Sequence, residues 1–274
     1  MHQELKKAVQ SYVAPKATFN YLKKVPLVVI AGLSGAGKNT IIKELLKTNK
    51  FQYIITYTTR KPRSNNGIKE QNGREYFFIS EAKALSMLRD KVFIEATITH
   101  ERLYGTTLWQ FQEAYQESLI PITDIDVKGA DLYYQKGAVL KAFFIAPPNL
   151  ATQIDRIKTR YSNEIDVVDY KNRILTSILE LEVIQKEDYF IPVINDDQNK
   201  TKDIILTYLF QKNRTLNDTK ALDVINKLLV ESQQTKGIVF MLIISAKFKN
   251  LELALIELRG LWFQEFNMAV ILKE

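Results

Sequence analysis

The chain has 274 residues, of which 46% are hydrophobic and 25% charged, a balance typical of a globular protein and not of a disordered one. It contains no cysteine, which excludes disulfides, thiolate metal ligands and a cysteine nucleophile, and fits a cytoplasmic protein. The formal net charge of +7 suits an anionic ligand. The first 24 residues show no secretory signal, and the apolar run at residues 238–246 is too short to span a bilayer, so we expect no membrane partner.

The strongest pattern lies near the N-terminus. A continuous apolar run at residues 25–31 predicts a buried parallel strand, and an amphipathic helix begins at Lys38. Between them is a loop with the spacing G-x-x-x-x-G-K, in which glycines let backbone N–H groups face phosphate oxygens. The helix N-terminus adds positive charge and the lysine reaches the outer phosphates. A glycine-rich turn without ligand is the alternative to a nucleotide site with these ATP-binding residues: Gly32, Gly35, Ala36, Gly37, Lys38, Asn39 and Thr40.

The loop departs from the usual pattern at one place. Asn39 stands where a serine or threonine normally follows the lysine. We expect Thr40, one residue further on, to supply the hydroxyl near a metal ion instead.

Two arginines follow the second predicted strand, which spans residues 51–55. Arg60 and Arg63 flank a proline that stiffens the loop, and two guanidinium groups at this spacing suit capture of a phosphate. A loop that binds RNA backbone would have the same composition, so this segment alone leaves both possibilities open. A strand at residues 76–79 and a helix capped by Ser80 come next.

Carboxylates mark the following strands. Glu95 interrupts an otherwise apolar strand, so it either faces solvent or accepts hydrogen bonds from a ligand in a pocket. Asp124 and Asp126 end a buried strand, at the edge where parallel sheets bind ligands. Asp124 or Asp126 could hold Mg²⁺ through water, and we place the metal at Thr40 and Asp124.

Three arginines surround a polar segment in the second half of the chain. Arg156 and Arg160 lie one helical turn apart at the end of a predicted helix over residues 150–159, and Arg173 follows the segment at residues 161–169. They suit a lid that closes over phosphates, although scattered arginines more often form a solvated face. A last strand at residues 190–194 precedes Asn195, and a closing helix spans residues 204–210.

The last part of the chain differs in character. Residues 213–274 carry eight basic and seven acidic side chains, so the basic excess lies with the glycine-rich loop and we expect no nucleic-acid partner. We predict a helix at residues 221–230, a strand at 237–246, a helix at 251–263 and a short strand at 268–272. This apolar extension must be buried against something, as a docked appendage, a binding module or a contact between copies in a homo-oligomer.

Strands and helices alternate through the body of the chain, which predicts an α/β protein with a mainly parallel sheet. The ordered motifs from Pro26 to Lys212 resemble guanylate kinase. The segments that carry this resemblance are the glycine-rich loop and residues 58–63, 75–78, 93–95, 104–106, 124–129, 145–148 and 193–197.

The resemblance implies a P-loop three-layer fold with a parallel central sheet, a small β-rich GMP-binding subdomain at about residues 56–107, a lid at about 157–172, and a C-terminal α/β extension. The kinase-like domain would span residues 25–212, after a lead-in of residues 1–24 without assigned function. The implied reaction is Mg²⁺-dependent phosphorylation of GMP, and of dGMP, by ATP.

The resemblance also implies roles for individual residues. Glu95 would accept from the neighbouring N1–H and N2 amine donors of guanine, a pair that adenine lacks. Asn195 would lie near the ATP base. The GMP-binding residues would be Ser34, Arg60, Arg63, Tyr76, Glu95, Tyr104, Thr106 and Asp126, and the catalytic residues would be Lys38, Arg156, Arg160 and Arg173.

Two other functions fit parts of the pattern. An inactive guanylate-kinase-like scaffold domain would bind proteins, but such domains tend to lose the lysine and glycines that remain here. A kinase of the same fold could act on another phosphorylated acceptor, which Glu95 and Ser34 argue against. The loop between Arg63 and Tyr76 is longer than the family pattern, and so is the lid between Arg160 and Arg173.

Overall fold

Eleven strands and ten helices are present in a computed structural model of the chain, which describes residues 2–65, 68–99, 101–160, 167–211 and 219–247. The strands are β1 (Pro26–Gly32), β2 (Phe51–Tyr53), β3 (Tyr57–Thr58), β4 (Ser64–Asn65), β5 (Ile68–Lys69), β6 (Phe77–Phe78), β7 (Phe93–Thr99), β8 (Arg102–Thr107), β9 (Ile120–Asp124), β10 (Val139–Ala146) and β11 (Phe190–Ile194). The helices are α1 (His2–Gln10), α2 (Lys16–Leu22), α3 (Lys38–Leu46), α4 (Glu81–Arg89), α5 (Leu108–Gln116), α6 (Val127–Gln135), α7 (Leu150–Arg160), α8 (Val167–Lys186), α9 (Gln198–Phe210) and α10 (Thr219–Lys247).

Five of the strands form a parallel sheet in the order β11-β10-β1-β9-β2. The central strand β1 is buried from Leu27 to Gly32, as expected of an apolar run covered by helices. The carboxyl ends of β1 and β9 lie side by side, with Ile30 paired to Asp124. The sheet therefore brings the glycine-rich loop and the acidic end of β9 to one edge, and the predicted α/β class with a parallel sheet is confirmed.

A second, smaller sheet has the strand order β6-β3-β8-β7 and mixes parallel and antiparallel pairs. Helix α4 begins at the predicted cap, where Ser80 Oγ accepts from the backbone N–H of Lys83. A separate hydrophobic cluster lies under this sheet and includes Leu5, Leu85, Phe93 and Leu103. The small sheet thus has its own core beside that of the central sheet.

The lead-in forms two helices that join both cores. Leu5 of α1 is fully buried in the cluster of the small sheet, and the Tyr12 hydroxyl donates to the backbone oxygen of Phe93. Leu22 of α2 packs in the core of the central sheet. Residues 2–22 therefore connect the two sheets by direct packing.

The structure corrects one prediction for the C-terminal extension. Residues 237–246, predicted as a strand, continue helix α10, which runs unbroken to Lys247. A short apolar run cannot be assigned to strand or helix by periodicity alone, and one glycine costs a helix only about 1 kcal/mol. Residues 251–263 and 268–272 lie outside the described residues. In the described part of the chain we find no helix with the length and apolarity that a membrane span requires.

Candidate active site

The glycine-rich loop between β1 and α3, residues 32–38, is called the phosphate loop below. Gly32 has φ +137°, and a Cβ there would lie 2.0 Å from the backbone oxygen of Ile145 on β10. Gly37 has φ +89° and forms the N-cap of α3. Both positions need glycine, because one has no room for a side chain and the other has left-handed backbone. The loop therefore turns tightly and presents the N-terminus of α3 to the space above it.

Lys38 folds back over this loop. Its Nζ donates to the backbone oxygens of Gly32 at 2.5 Å and Leu33 at 3.1 Å. Its charge also lowers the pKa of two nearby carboxyl groups, Asp124 and Glu180, which burial raises. The ammonium group is thus held at the phosphate loop among carbonyl and carboxyl oxygens.

Two amide side chains brace the loop from the side. Gln153 Nε2 donates to the backbone oxygen of Ser34 at 3.0 Å. Asn195 Nδ2 donates to the backbone oxygen of Ala36 at 2.7 Å, and its Oδ1 accepts from Thr201 Oγ1 at 3.1 Å. Asn195 is 4% exposed, so in this structure its amide supports the phosphate loop.

Of the three predicted catalytic arginines, Arg173 contacts this loop directly and Arg156 contacts Asn195, which holds the loop. Arg173 Nη1 donates to Ser34 Oγ at 2.7 Å. Arg156 Nη2 donates to the backbone oxygen of Asn195 at 3.1 Å, while its buried Nη1 has no hydrogen-bond partner among the described residues. Arg160 ends α7, and its side chain lies outside the described part of the chain, as do residues 161–166 of the predicted lid.

A cavity of about 440 Å³, called the phosphate cavity, opens above the loop. Asn39 is among the residues that line it, and Thr40 is not. Asn39, which occupies the position where a serine or threonine is usual, is therefore the residue at the cavity. The lining residues include Gly32, Ser34, Gly35, Gly37, Lys38, Asn39, Asp124, Arg173 and Glu180.

A second cavity of about 220 Å³, called the base cavity, lies between the small sheet and α6. Glu95 and Asp126 line it, and Thr106 Oγ1 donates to Glu95 Oε1 at 3.0 Å. Burial raises the pKa of Glu95 to about 7, hydrogen bonds from the side chain and backbone of Thr106 lower it, and the charge of Asp126 raises it. Glu95 is therefore a pocket carboxyl group and not a solvent-facing one.

Asp126 has a structural task as well. Its Oδ1 accepts from the backbone N–H of Gly129 at 2.7 Å, which makes it the N-cap of α6. The other predicted guanine ligand, Ser34, does not lie with Glu95, Thr106 and Asp126. It belongs to the phosphate loop, lines the phosphate cavity and accepts a hydrogen bond from Arg173.

The predicted phosphate-binding group beside the base cavity is only partly assembled. The Arg60 guanidinium lies 5.0 Å from the ring centre of Tyr76, and Tyr76 packs edge-on against Tyr104 at 6.0 Å. Arg60 also forms a two-pronged ion pair with Glu70, at 2.8 and 3.0 Å. Arg63 is exposed, and its backbone N–H donates to the same Glu70 carboxyl group at 2.7 Å.

Asp124 lines both the phosphate cavity and the base cavity. Its Oδ1 accepts a hydrogen bond from the Tyr53 hydroxyl, and burial raises the pKa of the Asp124 carboxyl group. Because the residue stands at the end of β9, the sheet itself fixes the junction at which the two cavities meet.

Several side chains at this site were not predicted from the sequence. Glu180 is 9% exposed and lines the phosphate cavity, and burial raises its pKa to about 7. Its signal was available, because Arg173, Ser177 and Glu180 recur at helical spacing on α8 and so share one face. Glu70, which pairs with Arg60, and Tyr133, whose hydroxyl lies 2.7 Å from Thr106 Oγ1, carry no such local signal. Only packing of separate elements brings them to these partners.

Known guanylate kinases resemble this chain in sequence. The family model described as guanylate kinase matches residues 24–212. A guanylate kinase from Helicobacter pylori is 32% identical over 182 residues, which is 66% of this chain and 84% of that protein. A guanylate kinase from Wigglesworthia glossinidia brevipalpis is 32% identical over 215 residues, or 76% of this chain and 95% of that protein.

A solved structure supports the same fold. The crystal structure of guanylate kinase from Anaplasma phagocytophilum matches with a TM-score of 0.50 and 19% identity, over 74% of this chain and 96% of that one. The family match covers most of the chain, and the first relatives are matched over most of their own length. The chain therefore belongs to the guanylate kinase family of enzymes.

Proposed function

We propose that this chain transfers the γ-phosphoryl group of ATP to GMP, and to dGMP, with Mg²⁺ as cofactor. The observation that carries the proposal is the position of Asp124, which lines the phosphate cavity on one side and the base cavity on the other. ATP phosphates would lie over the phosphate loop, and the guanine of GMP beside Glu95. The donor and acceptor phosphates would then meet near Asp124.

In this arrangement Glu95 selects the acceptor base. An ionised carboxylate accepts from two adjacent donors, and guanine offers N1–H beside its N2 amine. AMP would leave the Glu95 carboxylate desolvated and without a hydrogen-bond donor, and this cost strongly lowers the affinity for AMP. Because burial raises the pKa of Glu95 to about 7, we expect GMP to bind with release of a proton near neutral pH.

Phosphoryl transfer to a phosphate oxygen needs no general base, because the acceptor is already an anion. Lys38 and Arg173 supply positive charge at the phosphate loop. Arg156 adds charge from its hydrogen bond to Asn195, whose amide in turn holds the loop. Arg160, at the end of α7, would add a further positive charge. Catalysis would rest on positioning and on neutralising charge in the transition state.

Binding of GMP would also rearrange the loop that carries Arg60 and Arg63. Arg60 is paired with Glu70 and stacked on Tyr76, next to Tyr104. The guanidinium group has five N–H donors, so it can keep the Glu70 pair and still donate to a phosphate. Arg63, which is exposed, would turn towards the same phosphate.

The residues at the phosphate loop fit a hydrated Mg²⁺ ion. Asp124 offers a carboxylate beside the loop, and Asn39 offers an amide oxygen where a hydroxyl is usual. Mg²⁺ usually keeps several waters and binds through one or two carboxylates together with substrate phosphates. When bound, the ion would neutralise charge on the phosphates. Thr40 is the weaker candidate, because it does not line the cavity.

A coupled assay of ADP release tests this function. The purified chain receives ATP and Mg²⁺ with GMP, dGMP, AMP or UMP, and Lys38→Ala serves as the inactive control. We expect turnover with GMP and dGMP, little with AMP or UMP, and collapse in the variant. Absence of both turnover and GMP binding would overturn the proposal and favour the protein-binding scaffold.

A further inference from the structure

A buried tyrosine stands behind the guanine-binding carboxyl group. Tyr133 on α6 is 1% exposed and belongs to the wall of the base cavity. Its ring stacks on Phe111 at 6.3 Å between centroids, which fixes the direction of the hydroxyl. The hydroxyl oxygen lies 2.7 Å from Thr106 Oγ1, the atom that bonds Glu95. The proposed function gives this hydroxyl no role.

The number of protons available determines which atom donates in each of these hydrogen bonds. A threonine hydroxyl has one proton, and Thr106 gives it to Glu95 Oε1. An ionised carboxylate has no proton to give back. The bond between Tyr133 and Thr106 must then run from the tyrosine, so that a chain of donors leads from Tyr133 through Thr106 to Glu95. Chains of this kind polarise each other in a buried site.

We propose that Tyr133 is a positioning residue for guanine recognition, which it supports by donating to Thr106 and so holding the Thr106 hydroxyl as a donor to the Glu95 carboxylate. This inference rests on the proposed function of the base cavity. The chain of donors fixes the orientation of the carboxylate and leaves its other acceptor sites for the N1–H and N2 amine of guanine. Donors to a carboxylate also favour its ionised form, which is the form that accepts from guanine.

The role proposed for the Tyr133 hydroxyl can be separated from the packing of its ring. Phenylalanine at position 133 keeps the ring and its contact with Phe111, and removes only the hydroxyl. Without that donor, the Thr106 hydroxyl is free to rotate away from Glu95. We therefore expect the loss to appear in GMP affinity and its pH dependence, and not in ATP binding or in turnover at saturating GMP.

Steady-state kinetics on the full chain with ATP and GMP tests this. In Tyr133→Phe we expect the KM for GMP to rise roughly three- to tenfold, as for one lost buried hydrogen bond, with kcat and the KM for ATP within about twofold. The pH at which GMP affinity falls by half should move upward. Thr106→Val combined with Tyr133→Phe should be no worse than Thr106→Val alone, because the tyrosine acts through the threonine.

The matched control is Tyr12→Phe. The Tyr12 hydroxyl donates to the backbone oxygen of Phe93, and the residue does not line the base cavity, so this variant should keep the wild-type KM for GMP. An unchanged KM and pH profile in Tyr133→Phe would overturn the inference. An equal loss of kcat and ATP affinity with a lowered melting temperature would overturn it as well, since that marks general damage.

A readout without substrate separates this inference from the proposed function. The Glu95 side-chain carbon, labelled with ¹³C, is titrated by NMR in wild type and Tyr133→Phe. A higher pKa of Glu95 in the variant supports the donor chain even if GMP proves not to be the acceptor. An identical titration in the two proteins refutes the chain, whatever the kinetic assay with GMP shows.

Discussion

Among single residues, Glu95 and Glu180 stand out because both carboxyl groups have a pKa of about 7 with burial as the main cause. Ordinary glutamates ionise near 4.5, so each group costs the folded protein stability when it is charged. Such a cost is common at functional sites, where a group is held in a state that suits its ligand. Replacement of such a functional residue by an uncharged one can therefore increase the free energy of unfolding.

Glu95→Gln should make the protein more stable at alkaline pH. The folded-state pKa is raised, so the unfolded chain loses its proton first and wild-type stability falls as pH rises from about 4.5 to 7. Glutamine removes that loss and keeps an oxygen for Thr106. A pKa of about 7 corresponds to roughly 3 kcal/mol, and contact with solvent in the cavity lowers the expected gain at pH 8 to about 2 kcal/mol.

Urea unfolding at pH 4.5 and pH 8 measures this difference. The two proteins should be nearly equal at the lower pH and separate at the higher one. Glu117→Gln, at an exposed position, is the control and should follow wild type at both. A variant that gains nothing at pH 8 would mean that the Glu95 carboxylate is not desolvated.

At the level of elements, the phosphate loop depends on its contact with the end of β11. Asn195, which follows β11, donates to Ala36, and a Cβ on Gly37 would lie 2.5 Å from the Asn195 amide nitrogen. Gly37 also has φ +89°, so a side chain there meets both strain and a clash. The loop geometry is therefore set jointly by β1, α3 and the segment after β11.

Gly37→Ala should lower kcat/KM for ATP by roughly 100-fold or more, because displacement of the loop by about 1 Å costs that much in positioning. Gly73→Ala is the matched control. Gly73 has a similar φ of +78°, but its nearest neighbour to a new Cβ is Phe77 at 3.5 Å. We expect the control to lose about 1 kcal/mol of stability and to keep its KM for ATP. Equal kinetic loss in both variants would assign the effect to backbone strain alone.

For the whole molecule, helices α1, α2 and α10 lie outside the family match and pack on the rest of the described chain. Helix α10 packs along α8, and its residues Ile225 and Leu228 are buried in the main core although the family model ends at residue 212. At the other end, α1 packs in the core of the small sheet and α2 in the core of the central sheet. The expectation that residues 213–274 mediate a homo-oligomer stays a prediction.

Leu228→Ala should destabilise the full chain by about 2 to 4 kcal/mol, the usual cost of a leucine truncated in a core. Leu222→Ala on the same helix removes the same atoms from a side chain that is 42% exposed, and should cost less than about 1 kcal/mol. Chemical unfolding monitored by circular dichroism compares the two. Equal small losses would show that α10 contributes nothing to the core.

A contact can be predicted from the sequence when its residues lie close together along the chain. The phosphate loop, the helix cap at Ser80 and the parallel sheet were predictable, because their signals lie within a few neighbouring residues. Tyr133 and Glu70 were not, because packing of separate elements brings them to Thr106 and Arg60. The wrong strand at residues 237–246 arose from an apolar run whose period does not separate the two structures.

The central claim is that Glu95 selects guanine, and the most direct measurement is the ratio of kcat/KM for GMP to that for AMP, with ATP and Mg²⁺, in wild type and Glu95→Gln. We expect wild type to prefer GMP by about 10⁴, as for sites that leave a buried group unpaired with the wrong substrate. In the variant the ratio should fall at least about 100-fold, mainly through loss of GMP. Equal use of the two nucleotides by wild type, or a ratio unchanged in Glu95→Gln, would contradict the account.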